Sequence, residues 1–421
     1  MADYYVSPSG NDANAGTIGS PFRNWQRLKD FLTPGDTGYI RGGTYVPTTT
    51  TSTFIHCDWN GMVGTSTQPI TIQNYQNEVP VYDFTGFITA IDASVCVDLN
   101  NSSYVKVKGL RVTGFAQAVS GNDINRGMVM EETTSCTFEQ CTVDNMGGPG
   151  FVVGSNAVKA YFINCDASYC ADPNTPGTPY GGADGFNISG NITGSDVTLI
   201  GCRAWWCSDD GFDNFNVNTV ITYQNCWAFW NGYIPGTFTP VGNGTGFKLG
   251  PTNTVPLART TRILYNCLAF ENLDAGFGQN TAETRFSMLN CTAHKNTGNG
   301  WWFAWYPSYS QPFYNNIAWD NTAGEIDEAG GNIGGSNNTW DGVVTVSDAD
   351  FLSVDSTGSD GARGADGSLP VLDYLHLAPG SDLINAGINR GLPFTGTAPD
   401  MGAFETSVQT HLSIGRKTAS V

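Results

Sequence analysis

Residues 223–231 read YQNCWAFWN, and related segments recur at 138–146 (FEQCTVDNM), 162–170 (FINCDASYC), 199–207 (LIGCRAWWC), 264–272 (LYNCLAFEN) and 288–296 (MLNCTAHKN). The cysteines at their centres, Cys141, Cys165, Cys202, Cys226, Cys267 and Cys291, are 24, 37, 24, 41 and 24 residues apart. The basal period is 24, and two copies are enlarged by insertions. A seventh copy, YNNIAWDN at 314–321, carries Ile317 where the cysteine would stand. A fixed period of this length marks a chain built by stacking one small unit on the next.

Each cysteine is followed by a second beat: PGFV, DGFN, DGFD, TGFK, AGFG and NGWW, with Phe151, Phe186, Phe212, Phe247, Phe277 and Trp301 as its aromatic residues. Strand-like stretches such as AVKAYFIN and TVITYQNC recur, and helical periodicity is absent. A unit of two or three short strands is one coil of a parallel β-helix, in which like side chains stack along interior lines. The expected fold is all-β: a right-handed parallel β-helix of about ten coils. Cysteine is a small hydrophobe suited to the stack. The asparagines before it (Asn164, Asn225, Asn266, Asn290, Asn315) are expected to form a turn ladder. Disulfides stay open, since Cys165/Cys170 and Cys202/Cys207 share a spacing.

At the N-terminus, NWQRLKDFL places Trp25, Leu28, Phe31 and Leu32 on one face of a short helix, which would cap the first open coil. Residues 3–405 are expected to form a single domain and 406–421 a loose tail. The formal charge of -19 argues against nucleic-acid and anionic-membrane partners. No run of about 18 apolar residues offers a membrane span. Met1-Ala2 leads directly into YYVSPSG, as in a mature exported domain given a start codon, or in a cytosolic protein.

The repeat alignment places the charges. Before the Gly-aromatic pair, successive coils carry Pro149, Asp184, Asp210, Thr245, Ala275 and Asn299; after it, Val152, Asn187, Asp213, Lys248, Gly278 and Trp302. Asp184 should stack on Asp210, and Asp213 on Lys248, with Asp209 alongside. Coils lie about 4.7–4.9 Å apart, so carboxylates on adjacent coils can share one calcium ion. Single Asp-Gly pairs are common in turns, and Lys248 could be a salt-bridge partner of Asp213. Four aspartates in two coils would repel one another unless a cation neutralised them. The inserts ADPNTPGTPYGG, GYIPGTFTPVGNGTG and PTNTVPLARTT fall on these same coils, as loops walling a cleft would.

Such a set supports β-elimination on a uronic acid. A cation on the uronate carboxylate acidifies the C5 hydrogen, and a lysine takes it if the field of the nearby carboxylates is cancelled. At GGADGF, RAWWCSDDGFD, NCWAFWNGY and GNGTGFKLG the chain resembles the pectate lyases of polysaccharide lyase family nine, and the likeness in coil pattern spans most of 3–405. That resemblance implies four calcium-binding aspartates, here Asp184, Asp209, Asp210 and Asp213, and a catalytic lysine, here Lys248. It also implies secretion and cleavage of an acidic plant cell-wall polysaccharide, polygalacturonate or, in some relatives, rhamnogalacturonan. Cys207 departs from the pattern, where a polar residue is expected. Substrate contacts are expected at Arg203 and Arg262, with arginine the better bidentate partner for a carboxylate. Among the tryptophans crowding these coils, most are expected in the core and some as sugar platforms. The protein is expected to be a monomer.

Two other readings stay open. Asp209 and Asp210 could serve as the acid and base of a glycoside hydrolase, but the motifs of the polygalacturonase hydrolases are missing. A non-catalytic carbohydrate-binding solenoid would use calcium structurally, and the Asp-rich stretch at 346–367 could hold an ion as a loop staple. Cysteines on a solenoid period do not make a zinc site, and no nucleophile elbow or phosphate loop is present.

Overall fold

In the computed structural model each coil's strands pair in parallel with their equivalents one coil away, giving three sheets of 12, 10 and 10 strands. The structure describes residues 1–49, 53–87, 94–117, 124–189, 196–250, 261–280, 284–304, 311–328 and 333–406. The expected right-handed parallel β-helix of about ten coils is what forms. One coil runs from Val220–Gln224 in the first sheet through Trp227–Phe229 in the third to Phe247–Lys248 in the second, then on to Thr261–Tyr265, the next strand of the first sheet.

The turn between first and third sheets needs a left-handed residue, which asparagine tolerates best among residues with a side chain. Asn164, Asn225, Asn266, Asn290 and Asn315 all have φ between 52° and 61° there. The cysteines follow as a buried interior stack, and all eleven are free thiols. The seventh copy corrects the alignment: Ile317 pairs with Thr292, which puts Asn316 in the cysteine row. Its Oδ1 accepts the Cys291 amide at 2.9 Å, and its Nδ2 donates to Met288 O and Asn338 Oδ1. Near the end of the stack a side chain with both donor and acceptor satisfies edge groups that a thiol would leave open.

A second ladder lies at the next turn. Asn231, Asn272, Asn296 and Asn321 are buried, each taking the amide of the equivalent residue one coil back on its Oδ1 and donating from Nδ2 to a backbone carbonyl. Cys170 and Cys207 occupy the same row in the two preceding coils, which explains the unexpected Cys207. The Gly-aromatic beat has an equally local cause. A Cβ on Gly185 would lie 2.6 Å from the Ala204 methyl and 2.7 Å from Gly211 O, so only glycine lets the coils close here. The aromatic residues then stack inward, Phe186 on Phe212 at 4.9 Å and Phe212 on Phe247 at 4.6 Å.

The expected N-terminal cap is a 3-10 helix, Trp25–Asp30, with Trp25, Leu28 and Leu32 buried against the first coils. At the other end Trp340 packs on Trp301 at 5.0 Å. Residues 346–405 cross the outer face of the third sheet, where Phe351, Tyr374, Leu375, Leu377 and Leu383 cover Trp205, Phe229 and Phe270. Arg363 fastens this arm: it forks onto Asp166 (2.9 and 2.6 Å) and donates to Cys165 O, Gly201 O and Gly367 O. Residues 407–421 lie outside the described residues, whereas Thr406 is tied to Asp400 through its amide and hydroxyl.

Candidate active site

The Gly-aromatic alignment is the true register of the second sheet. Phe186 pairs with Phe212 and Asn187 with Asp213; Phe212 pairs with Phe247 and Asp213 with Lys248. Asp184, Asp209, Asp210 and Asp213 are all buried, around the partly buried Lys248.

The backbone orients these carboxylates one oxygen at a time. Asp210 N donates to Asp184 Oδ1 (3.1 Å), Thr245 N to Asp210 Oδ1 (2.7 Å) and Asn243 N to Asp209 Oδ1 (2.9 Å). The second oxygens of two of them meet side chains: Asn187 Nδ2 donates to Asp184 Oδ2 (2.7 Å) and Lys248 Nζ to Asp210 Oδ2 (2.8 Å). Asp213 Oδ2 lies 3.6 Å from Nζ, and its Oδ1 is buried with no hydrogen-bond partner among the described residues. Asp184, Asp210 and Asp213 bring one oxygen each within 4.8 Å of one another. Asp209 lies outside that group, and its Oδ2 makes no hydrogen bond among the described residues.

An orphaned carboxylate oxygen inside an all-oxygen donor set fits a hard cation such as calcium. The proton equilibria agree. Burial, reinforced by the other three carboxylates, pushes Asp184 well above the usual carboxylate range. Burial and Asp210 push Asp209 up to about 8, and burial raises Asp213 to about 6 against the pull of Lys248. Burial alone would lower the lysine, but Asp210, Asp213, Asp209 and Asp184 outweigh it and hold the amine above its ordinary range.

Lys248 stands on a two-residue strand, and its backbone is pinned from neighbouring coils. Asn214 donates to Lys248 O from both its amide (3.0 Å) and Nδ2 (2.9 Å), and Tyr223 OH donates to Asn214 Oδ1 (2.9 Å). Two inserts flank the acids. The loop at 171–182 is drawn in by buried Asp172, which accepts from Thr175 Oγ1 (2.7 Å). The loop at 232–246 runs into the Lys248 strand and carries Phe238, which packs on Trp206 at 5.0 Å. The third insert lies outside the described residues apart from Thr261. A cavity of about 230 Å³ beside the capping helix, lined by Trp25, Tyr45, His56 and Tyr82, includes none of these residues.

The two arginines expected to meet substrate do not. Arg203 is 2% exposed, forks onto Asp166 (2.9 and 2.8 Å), donates to Ser359 O and Gly361 O, and stacks over Trp205. It fastens the C-terminal arm to the solenoid. Arg262 is 0% exposed and points into the core, in register with Ile221 and Phe286. Its guanidinium donates to Leu249 O (2.7 Å), Thr219 O (2.8 Å), Thr261 O and Val217 O (3.2 Å each), so it serves backbone next to Lys248 and not a ligand. The sequence places Asn187 in the row of Asp213 without showing its role, the hydrogen bond to Asp184; Asn214, which directly follows Asp213, is the site residue that the repeat pattern leaves out.

Comparison with known proteins fits this geometry. The family described as Pel9A-like, right-handed β-helix region, matches residues 4–321. The chain belongs to that family. Pectate lyase L of Dickeya dadantii is 30% identical over 96% of this chain and 90% of its own length. Pectate lyase PEL9 of Emericella nidulans is 29% identical over 91% of this chain and 94% of its own. Among solved structures, that of pectate lyase Pel9A superposes with a TM-score of 0.79 at 27% identity, covering 97% of both chains. A structure titled rhamnogalacturonan lyase gives 0.78 at 26% identity, over 90% of this chain and 97% of the other. As a member of a family of lyases, the chain is a lyase enzyme.

Proposed function

We propose that the chain is a secreted, monomeric, calcium-dependent lyase that cleaves polygalacturonate by β-elimination, with Lys248 as the base. The observation that carries this is the register of Asp213 against Lys248, with an unpartnered carboxylate oxygen beside the only amine in the cluster. Asp184, Asp210 and Asp213 would hold the ion, with Oδ2 of Asp209 as a fourth ligand. Bound there, calcium would withdraw charge from the uronate carboxylate and so acidify its C5 hydrogen.

Lys248 takes the C5 proton. The C5–H electron pair becomes the C4–C5 double bond, and the C4–O bond breaks with its electrons leaving on oxygen. For this the amine must be neutral. Burial, the largest influence on Lys248, favours the neutral form, and the aspartates oppose it. With their field cancelled, burial brings the lysine down, and activity follows an alkaline limb. Asn214 fixes the Lys248 backbone so that Nζ has little freedom to leave the cluster. Both solenoid ends are covered, which suits a monomer.

The test is ultraviolet absorbance of unsaturated uronide from polygalacturonate at alkaline pH, with calcium and then with chelator. A calcium-dependent rise is expected. A rise only on rhamnogalacturonan would move the substrate to that polymer, a reading favoured by the nearly equal superposition. No rise on either polymer, with reducing ends released, would replace elimination by hydrolysis.

A further inference from the structure

Far from the acidic cluster, the cavity of about 230 Å³ beside the capping helix has a floor of rings and a rim of charge. We propose that this cavity is a second carbohydrate site, which takes one acidic sugar ring with its carboxylate on Arg23. The strand Ile55–Asp58, which brings His56 to the cavity, stands six places from the Lys248 strand in the second sheet. That is about 28–29 Å along the solenoid, so the two sites are separate. The inference goes beyond the lyase reading and does not depend on it.

The first coils build the floor. Trp25 comes from the helix, Tyr45 and Tyr82 from paired strands of the third sheet, and His56 from the second sheet, all of them buried. Tyr45 OH donates to Arg41 O (2.8 Å) and Tyr82 OH to His56 O (3.2 Å), so the phenols are spent on backbone and offer only ring surface. Burial holds His56 down to about 4, and near neutral pH the imidazole adds no charge. Its Nδ1 is engaged by the Thr49 hydroxyl (2.5 Å). Two nitrogens on lining residues stay unmet: Trp25 Nε1 and His56 Nε2 are buried with no hydrogen-bond partner among the described residues. Buried polar groups are normally paired, and two unpaired ones at a single cavity fit a ligand that carries hydroxyls.

The rim decides the charge of that ligand. Its charged residues are Asp12, Arg23, Arg27 and Asp30, and three of them are committed. Asp12 accepts from the amides of Arg23 (2.9 Å) and Asn24 (3.0 Å) and from Asn24 Nδ2 (2.6 Å). Arg27 pairs with Asp30 and lies over the Phe31 ring, 4.9 Å from its centre. The Arg23 guanidinium is exposed and has no hydrogen bond or ion pair among the described residues. Both rim carboxylates are thus occupied while one cation is open, which favours an anion, and a guanidinium receives a carboxylate through two parallel bonds. Val46, 58% exposed, adds an apolar edge to the same rim. A carboxylate, hydroxyls and an apolar C–H face within the space of one ring describe a hexuronic acid.

The experiment is a ligand-observed NMR titration of the full chain with D-galacturonate and with D-galactose. It uses the Lys248→Ala background and chelator, so that neither amine nor calcium at the acidic cluster takes part. Galacturonate is expected to bind, and galactose about threefold or more weakly. Arg23→Ala should weaken galacturonate about three- to tenfold and leave galactose unchanged, with Arg23→Lys in between. Val46→Asp, at an exposed position that does not challenge the fold, should weaken galacturonate by a similar factor through like-charge repulsion. No binding, galactose bound as tightly as galacturonate, or galacturonate binding indifferent to both substitutions overturns the proposal. The titration involves no elimination, so its failure leaves the lyase reading intact, and a failure to eliminate either polymer leaves this site standing.

Discussion

One buried aspartate on the third sheet and four at the second lie on the same two coils, with opposite charge balance. On the third sheet Asp166 lies between Arg203 and Arg363, two cations on one carboxylate, with the spare donors on backbone carbonyls. Burial would raise Asp166, but Arg363 and Arg203 outweigh it and hold the group below the usual carboxylate range. On the second sheet four aspartates share Lys248, and three of them are pushed up. A cluster with its charges met is a lock, here between solenoid and C-terminal arm. One with surplus carboxylate is unfinished, and on the proposed function a divalent cation would complete it.

The largest expected effect tests the unfinished cluster through its one amine. Lys248→Ala should lower the elimination rate by about 10²–10⁴-fold, the usual contribution of a positioned general base. Calcium affinity, read by calorimetry, should not fall, because the variant removes a competing cation. Loss of calcium binding together with activity would make Lys248 a structural partner of the aspartates and not the base.

Next come paired substitutions whose stability effects should differ in sign. Asp166→Ala strands Arg203 and Arg363 in a buried site and should destabilise the chain by about 3–5 kcal/mol, the range for breaking a buried ion pair. Asp213→Asn removes one of four crowded carboxylates. In chelator its melting temperature should equal or exceed that of wild type, while its response to calcium disappears. Melting curves in chelator decide it: a similar drop for both would erase the distinction between lock and site.

How much of this was legible in sequence follows from the same geometry. An in-register parallel coil turns alignment into adjacency, so Asp184 over Asp210 and Asp213 beside Lys248 could be placed from the Gly-aromatic beat alone. The Asn231–Asn321 ladder was equally periodic, being the last letter of each repeat, but a buried polar ladder is easily passed over for the more frequent cysteines. Arg262 is turned into the core by strand alternation, in one row with Ile221 and Phe286, so its place on the coil after Lys248 does not bring it to the site. Arg203 has a periodic partner in Asp166, one coil back, yet Arg363 arrives from 160 residues further on, outside any period. Contacts of the C-terminal arm follow from tertiary packing, and no repeat announces them.

The smallest effect expected is also the sharpest on sign. In the ion-free protein Asp213 titrates at about 6 and Asp209 at about 8, both above an unfolded aspartate near 3.9. A raised folded pKa gives stability that is complete below the unfolded value and lost as pH rises through the folded one. The chelated protein should therefore lose stability between about pH 4 and pH 8. Calcium binds the ionised carboxylates, so its stabilising effect should be negligible near pH 4 and grow across the same window, to about 3–8 °C in melting temperature at saturating ion. Asp166 predicts the reverse. Its folded pKa is depressed, so its contribution persists above the unfolded value and fails only on acidification. The arm should loosen at low pH, where the acidic site is most comfortable without metal. Melting curves with and without calcium from pH 4 to pH 9, alongside proteolysis of the arm at low pH, measure both trends. A calcium increment that is flat with pH would mean that the aspartates are already ionised without the ion, and the electrostatic case for the site would fall.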